Sequence, residues 1–337
     1  MRKILLSILD QTPVSKGACA EQALKESVIL AKRADELGYT RYWLSEHHNT
    51  GSLAGSAPEL LIAHIGSKTH RIRLGSGGIM LPNHSALKVA ENFRTLEVLF
   101  PGRIDLGIGR APGGDRLAAT LLNPSNNFHE EGFIRQLIDL QHFLDIPNDY
   151  EKENYTVQAI PGCDRAPDLW LLSSSGQSGL IAARFGMALS FAHFINPSAG
   201  PDAVRQYREH FRPSEILQEP RVNVAVFVLC ADTHEKAAEL KKAMDIQMLM
   251  ADKGMPEGIS SYEEVKQYPL SEADEHRISL NEKRIIWGTP GSVKSQLLDI
   301  AEEYDTDEVI AVTITHAFSD RLRSYELLAQ QFGIANQ

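Results

Sequence analysis

Hydrophobic residues along this chain gather in short apolar runs, and segments with the spacing of amphipathic helices separate the runs. Strands that alternate with helices usually pair in parallel, so this order favours an α/β protein. Eight such runs predict a TIM (β/α)8 barrel. The predicted strands are residues 4–9, 41–45, 72–80, 104–108, 169–173, 187–192, 222–229 and 308–315.

Helices are predicted between the early strands from their spacing and end signals. Residues 21–37 repeat apolar side chains every three or four positions, and Gly38 follows as a helix terminator. A second helix is expected to start at Ser56, whose hydroxyl can cap it, with Pro58 in the first turn. A third helix is predicted over residues 86–100.

The spacing between strands lengthens after the fourth and seventh strands. We expect insertions there, at residues 111–168 and 231–307, with helices at 128–144 and 233–250. A single barrel with insertions commonly reaches this size, so residues 1–337 are interpreted as one domain.

Composition narrows the classes of function. The formal net charge is −10 with acidic and basic residues intermixed, which argues against nucleic acid or an anionic membrane surface as a partner. No apolar segment is long enough to cross a bilayer. Cys19, Cys163 and Cys230 lack paired spacing, so neither a disulfide framework nor a thiolate zinc site is expected. We therefore expect a cytoplasmic protein that acts on small molecules.

Glycines interrupt the third predicted strand, where bulky residues would be usual. Gly75, Gly77 and Gly78 lie within it, and glycine inside a strand marks a bulge or the close approach of a ligand. A tightly packed barrel interior explains the run equally well. A flat aromatic cofactor lying against exposed backbone would also suit it.

Two other strand ends predict an anion site. Arg110 follows the fourth strand, and Ser174, Ser175 and Ser178 lie where the fifth strand leads into a helix, whose amino end attracts negative charge. Simple helix capping by serine is the alternative. The glycines of residues 104–114 do not have the spacing of a dinucleotide fingerprint, which excludes a Rossmann fold.

Histidines at strand ends supply groups that titrate near neutral pH. His47 or His48 is a candidate general base or hydrogen-bond donor, although one of them could pack against the barrel while the other faces solvent. A metal site is a less favoured alternative, because its ligands would come from distant segments without a chelating motif. Those ligands would be Glu46, His47, His193 and His316.

Four motifs carry a resemblance to a known family. They are YWLSEHH at 42–48, LGSGGIMLPNH at 74–84, PGRIDLGIGRAP at 101–112 and RLRSYELL at 321–328. With these motifs in this order, the chain resembles the bacterial luciferase-like family of flavin-dependent monooxygenases over nearly its whole length.

The resemblance implies a TIM barrel that binds FMN at the carboxyl ends of its strands. Reduced FMN, supplied by a separate NAD(P)H:flavin reductase, would react with O2 to oxidise a small organic substrate. His47 matches the family's catalytic histidine. Gly77 and Gly78 match a small-residue pair, often joined by a cis peptide, on which the flavin ring rests. The phosphate-binding set matches Arg110, Ser174, Ser175 and Ser178.

Two positions depart from the luciferases themselves. Gly109 stands where they carry a reactive cysteine, so light emission is not implied. Ser174 stands where they carry an acidic residue, which bears on phosphate preference. Weaker candidates for lining the substrate cavity are Asp10, His193 and His316.

Three other functions stay open at this stage. They are hydride transfer with the deazaflavin F420, flavin binding without turnover, and metal-dependent hydrolysis. The resemblance also implies a homodimer through the second and third helices, to which Ala57, Leu61 and Phe93 could contribute.

Overall fold

Parallel strands form the centre of the protein. The computed structural model describes residues 3–125, 128–148, 156–255 and 258–334, and it has nine strands within these ranges. They are β1 (Leu5–Asp10), β2 (Arg41–Leu44), β3 (Arg73–Met80), β4 (Ile104–Gly109), β5 (Asp168–Ser173), β6 (Ala188–Ala192), β7 (Val222–Cys230), β8 (Ile285–Gly288) and β9 (Glu308–Val312).

Eight of these strands close into a barrel. Strands β1 to β7 pair in parallel in sequence order, each with the next. β7 also pairs with β9. β9 pairs with β1, where Leu5 lies opposite Glu308, and this pairing closes the barrel. The predicted TIM barrel is therefore confirmed. A closed barrel brings the carboxyl ends of all eight strands to one face, and this face carries the site described below.

The ninth strand, β8, was not predicted. It pairs with the second half of β7, from Phe227 to Cys230. β6 pairs with the first half of β7, and the last residues of that pairing are Ala192 and Ala225. β8 has only four residues and lies inside the second insertion, so its apolar run is too short to stand out in the sequence.

Helices surround the barrel and fill the insertions. They are α1 (Ala20–Leu37), α2 (Pro58–Gly66), α3 (Ala86–Leu99), α4 (Arg116–Leu122), α5 (Glu130–Phe143), α6 (Gly176–Arg184), α7 (Gly200–His210), α8 (His234–Asp252), α9 (Tyr262–Val265), α10 (Glu272–Asn281), α11 (Pro290–Glu303) and α12 (Phe318–Phe332). Among the described residues, no helix combines the length and the apolar content needed to span a membrane.

The predicted helices agree with the structure apart from their ends. α2 begins after Ala57, with Pro58 in its first turn, so Ser56 is not the cap that its hydroxyl suggested. The insertions after strands 4 and 7 are present: α4 and α5 lie in the first, and α8 to α11 with β8 lie in the second. Residues 126–127, 149–155 and 256–257 of these insertions lie outside the described ranges.

Charged residues fill the amino end of the barrel interior. Arg41 donates hydrogen bonds to Asp105 at 2.8 Å and to Glu308 at 2.7 Å, and all three side chains are buried. Trp170 covers this layer, with the Arg41 guanidinium 4.9 Å from its ring centroid. Buried charges paired in this way close the bottom of the barrel and leave its carboxyl end open for a cavity.

Candidate active site

A cavity of about 370 Å³ opens at the carboxyl ends of the barrel strands. Its volume lies within the range of small-molecule sites. Its walls come from residues that follow different strands: Gln11 after β1, His47 after β2, Arg110 after β4 and Ser174 after β5. The barrel thus gathers side chains that are far apart in sequence into one site.

The floor of the cavity is mostly apolar, with Ser190 as a polar residue beside Leu172. Leu9, Trp43, Leu172, Ala225 and Ile310 line it. Trp43 is fully buried, and its indole N–H donates to Asp105 in the charged layer below at 3.0 Å. An apolar floor over a satisfied polar layer excludes water from the lower part of the cavity.

The glycine run of β3 combines tight packing with access to the cavity. A Cβ atom on Gly75 would lie 2.5 Å from the Asp105 carbonyl oxygen, and one on Gly78 would lie 2.7 Å from that of Gly107, so both glycines are needed for packing. Gly77 instead lines the cavity. The peptide bond between Gly77 and Gly78 is cis, and the β3–β4 register shifts there.

The serines predicted to bind an anion lie together at the start of α6. Ser174, Ser175 and Ser178 all line the cavity. Ser175 occupies the N-cap position, yet among the described residues no side chain caps the helix through a hydrogen bond. The first backbone N–H groups of α6 are therefore available to an anionic ligand.

Arg110 faces this helix end across the cavity mouth. Its Nη2 donates to Gln177 Oε1 at 2.7 Å, and its Nη1 lies 3.3 Å from Glu130 Oε2. Glu130 also accepts a hydrogen bond from Gln177. No motif marks Glu130, which begins α5 within the insertion, and its carboxylate competes with any bound anion for Arg110.

His47 lies on the cavity wall as a neutral imidazole. Burial lowers its pKa to about 4, more than the nearby Glu46 carboxylate raises it. Its Nδ1 lies 3.0 Å from Ser45 Oγ, and no partner for Nε2 is found among the described residues. His47 can therefore accept or donate one hydrogen bond at Nε2 without carrying a charge.

Glu46 and His48, the neighbours of His47, are engaged elsewhere. Glu46 is 1% exposed and accepts hydrogen bonds from His48 Nε2 at 2.7 Å, His84 Nε2 at 2.8 Å and the Met80 N–H at 2.8 Å. Of the two adjacent histidines, only His47 is among the residues that line the cavity.

Asp10 does not line the cavity, so its interpretation as a cavity residue requires correction. It is fully buried and bonds Arg321, Tyr42 and the N–H of Thr12, the last at 2.6 Å. Burial would raise the pKa of Asp10, but the Arg321 guanidinium and the hydrogen bonds lower it overall. Asp10 thus joins β1 to α12 as a buried ion pair.

His193 and His316 also lie away from this cavity. Both ring nitrogens of His193 are occupied, Nδ1 by Tyr304 Oη at 2.9 Å and Nε2 by the Lys283 carbonyl at 2.8 Å. His316 lines a separate cavity between α8, α9 and the end of β9. The described part of the chain therefore does not bring Glu46, His47, His193 and His316 together as metal ligands.

Comparisons with known proteins agree with this architecture. The family model for luciferase-like monooxygenases matches residues 4–307. The chain is 51% identical to the uncharacterized protein YwcH of Bacillus subtilis, over 98% of this chain and 99% of that protein. It is 34% identical to the N-acetyl-S-alkylcysteine monooxygenase of the same organism, over 97% of each chain.

Solved structures extend the comparison. Apo-MsnO8 superposes with a TM-score of 0.90 at 34% identity, over 98% of this chain and 99% of that one. Two more distant structures, each with a TM-score of 0.70, share the fold alone. They are the oxygenating constituent of a Pseudomonas putida diketocamphane monooxygenase in complex with FMN, 20% identical over 97% of each chain, and an F420-dependent secondary alcohol dehydrogenase, 11% identical over 98% of this chain and 99% of that one.

The family assignment rests on the matched family model and on relatives above 30% identity along nearly the full length of both proteins. The chain belongs to the luciferase-like monooxygenase family.

Proposed function

We propose that this protein is an FMN-dependent monooxygenase that uses reduced FMN and O2 to oxidise a small organic substrate. One observation carries the proposal. A single cavity combines the exposed backbone of Gly77, the uncapped start of α6 opposite Arg110, and the neutral imidazole of His47. A flat ring with a phosphate tail needs the first two features, and chemistry at the ring needs the third.

The residues at the cavity mouth fit a phosphate. Ser174, Ser175 and Ser178 supply hydroxyl groups, α6 supplies backbone N–H groups, and Arg110 supplies a planar cation. Arg110 can turn from Glu130 toward the ligand, since their 3.3 Å contact is long for a charged pair and lies at the surface.

The residues deeper in the cavity fit the ring. Gly77 presents backbone without a side chain, and Leu9 and Trp43 pack behind it, where a Cβ atom would meet them at 2.6 Å and 3.2 Å. When bound in reduced form, FMN would supply the activation of O2, which the side chains themselves cannot provide. The apolar floor would exclude water from that reaction.

His47 is the residue that we assign to proton handling. A pKa near 4 keeps its imidazole neutral at physiological pH, so Nε2 can hold or move a proton at a reacting oxygen atom. Ser45 fixes the ring through Nδ1 at 3.0 Å. We therefore expect His47 to orient a bound group by a hydrogen bond and to exchange a proton with it. Its low basicity makes it a poor base for removing a proton from carbon.

The substrate is expected to be small and organic. The floor residues offer mainly apolar contact, and Gln11, His47 and Ser190 add polar groups away from the proposed phosphate side. A B. subtilis relative is named for the oxidation of an N-acetyl-S-alkylcysteine, which supports a substrate of comparable size. The described residues form one barrel, so we assign flavin reduction to a separate NAD(P)H:flavin reductase.

An F420-dependent oxidoreductase is the second candidate, because the same fold is found with F420. Formation of an oxygenated product separates the two, because free reduced FMN consumes O2 without any other protein. The purified protein, with a flavin reductase, NADH and FMN, is expected to form an oxygenated product from a panel of thioethers and ketones, and the same mixture without the protein is the control. FMN binding with only hydrogen peroxide formed from every substrate would favour a flavin-binding protein. Tighter F420 binding without an oxygenated product would favour the second candidate.

We also propose a homodimer in a reducing cytoplasm. Cys19, Cys163 and Cys230 are free thiols, which supports that location. For the dimer, Phe93 is no longer a candidate contact, because it is 1% exposed within its own chain. Leu60 on α2, 70% exposed, is the better candidate for an interface through α2 and α3. Sedimentation at micromolar concentration tests the dimer.

A further inference from the structure

A buried carboxylate lies next to His47, and the proposed function leaves it without a task. Glu46 Oε1 accepts hydrogen bonds from His84 Nε2 at 2.8 Å and from His48 Nε2 at 2.7 Å, while Oε2 accepts one from the Met80 N–H at 2.8 Å. The carboxylate is 1% exposed. Burial of a charge is tolerated when it is paired and hydrogen-bonded, and three donors meet this condition.

These bonds connect two separate segments of the site. Glu46 follows β2, whereas Met80 ends β3 and His84 follows the next turn. Gln136 on α5 holds that turn by donating to the His84 carbonyl at 2.9 Å. The bond from Gln136 thus holds the His84 backbone in place, and the His84 side chain in turn holds Glu46.

The backbone on either side of the His47 Cα atom is fixed as well. The N–H of His47 donates to the Gly55 carbonyl at 2.7 Å, and that of His48 donates to the Gly113 carbonyl at 2.9 Å. The His47 backbone is therefore held at both sides, and its neighbour is held by a side chain.

Charge adds a second effect. Burial would lower the pKa of His84, but the hydrogen bond to Glu46 raises it overall, with further contributions from the charges of Glu46 and Glu59. Burial would raise the pKa of Glu46, but the bonds from His84, His48 and Met80 lower it overall. Two charged neighbours affect the pKa of His47 itself: Glu46 raises it and His48 lowers it.

We propose that Glu46 and His84 form a hydrogen-bonded ion pair that positions His47 and offsets part of the negative charge beside it. Both are positioning residues, since they act through His47. The part of the proposal that concerns turnover rests on the proposed function, whereas the part that concerns the protonation of His47 does not.

The sign of the effect follows from the charges. His84→Gln keeps a hydrogen-bond donor for Glu46 but removes the positive charge. The uncompensated carboxylate then favours the imidazolium form of His47, and we expect the pKa of His47 to rise by about one. His64→Gln is the matched control, because His64 is an exposed histidine on α2.

The decisive experiment is an NMR titration of the histidine rings in flavin-free protein. A rise in the pKa of His47 in His84→Gln, with no change in His64→Gln, supports the proposal. An unchanged pKa of His47 in His84→Gln overturns it. If that variant does not fold, Glu46→Gln replaces it: the pKa of His84 is then expected to fall, and an unchanged value overturns the ion pair.

Turnover supplies the second readout. In reductase-coupled assays, His84→Ala is expected to lower kcat about tenfold with little change in the apparent KM for FMN, and His84→Gln is expected to recover most of the rate. Equal losses in the two variants would contradict a positioning role. If the wild-type protein shows no turnover at all, the proposed function fails, and the NMR titration still decides whether the ion pair exists.

Discussion

The hydroxyl oxygen of Ser45 lies 3.0 Å from Nδ1 of His47. Because this contact occupies one ring nitrogen, it leaves Nε2 as the nitrogen that can act on a ligand in the cavity. Ser45 follows β2 directly, so the rigid end of a barrel strand fixes the direction of the imidazole. The geometry of the proposed reaction therefore begins with this pair.

Replacement of His47 should affect chemistry more than binding. We expect His47→Ala to lower kcat by about 10²- to 10⁴-fold, as is usual when a proton-transfer group is lost, with little change in FMN affinity. Ser45→Ala, which removes the orienting hydroxyl alone, should lower kcat less. Reductase-coupled product formation measures both effects. Full turnover of His47→Ala would remove His47 from the mechanism.

The pH dependence follows from the lowered pKa of His47. Because burial lowers that pKa from an ordinary value of 6.5 to about 4, His47 stays neutral down to acidic pH. We expect kcat to lack a His47 titration between pH 6 and 8. Since the unfolded state binds the proton more readily, stability should decrease as pH falls from about 6.5 toward 4. Urea unfolding across this range measures the second effect, and a stability that is flat from pH 7 to 4 would contradict it.

Arg110 and Glu130 should affect phosphate affinity in opposite directions. Arg110→Gln is expected to weaken FMN binding by about 10- to 100-fold, the effect of one charge-assisted hydrogen bond, and to leave riboflavin binding nearly unchanged. Glu130→Gln removes the competing carboxylate and should strengthen FMN binding. Flavin fluorescence titrations measure both. If Arg110→Gln weakened riboflavin and FMN equally, Arg110 would not bind the phosphate.

Gly78 should be intolerant of a side chain. A Cβ atom there would lie 2.7 Å from the Gly107 carbonyl oxygen, and backbone cannot move aside easily. We expect Gly78→Ala to lower the free energy of unfolding by about 1–3 kcal/mol. Gly291→Ala is the control, because no atom lies within 4 Å of the added Cβ. Equal Tm values for the two variants would show that β3 and β4 are less tightly packed than described.

Asp10 should matter for stability and not for catalysis. Asp10→Asn breaks a buried ion pair with Arg321 and is expected to cost about 3–5 kcal/mol of unfolding free energy. Because the folded-state pKa of Asp10 is lowered, its contribution is present at neutral pH and is lost as pH falls through the acidic range. Thermal denaturation measures the loss. A selective fall in kcat without a change in Tm would return Asp10 to the active site.

The barrel could be predicted from the sequence because strand and helix periodicity are local properties. The alternation of apolar runs gave the eight barrel strands, and Gly38 correctly marked the end of α1. β8 could not be found this way, since four residues inside an insertion carry too little periodic signal. The cap of α2 was misjudged because Ser56, Ala57 and Pro58 are all acceptable near a helix start.

Strand-end position predicted which residues reach the active face, but not the direction in which each side chain points. Asp10 ends β1 and His193 follows β6, yet Asp10 binds Arg321 and His193 binds Tyr304. The partners of Glu46 and Arg110 escaped prediction for a related reason. His84 and Glu130 lie 38 and 20 residues away from them in sequence, and only the folded chain brings these pairs together.

We propose that one cavity holds the phosphate of FMN at α6 and presents the ring to His47. A crystal structure of the protein with bound FMN tests this arrangement. We expect phosphate oxygens within hydrogen-bond distance of Arg110 and the first N–H groups of α6, with the ring against Gly77 and facing His47. A phosphate bound elsewhere, or a ring turned away from His47, would contradict it.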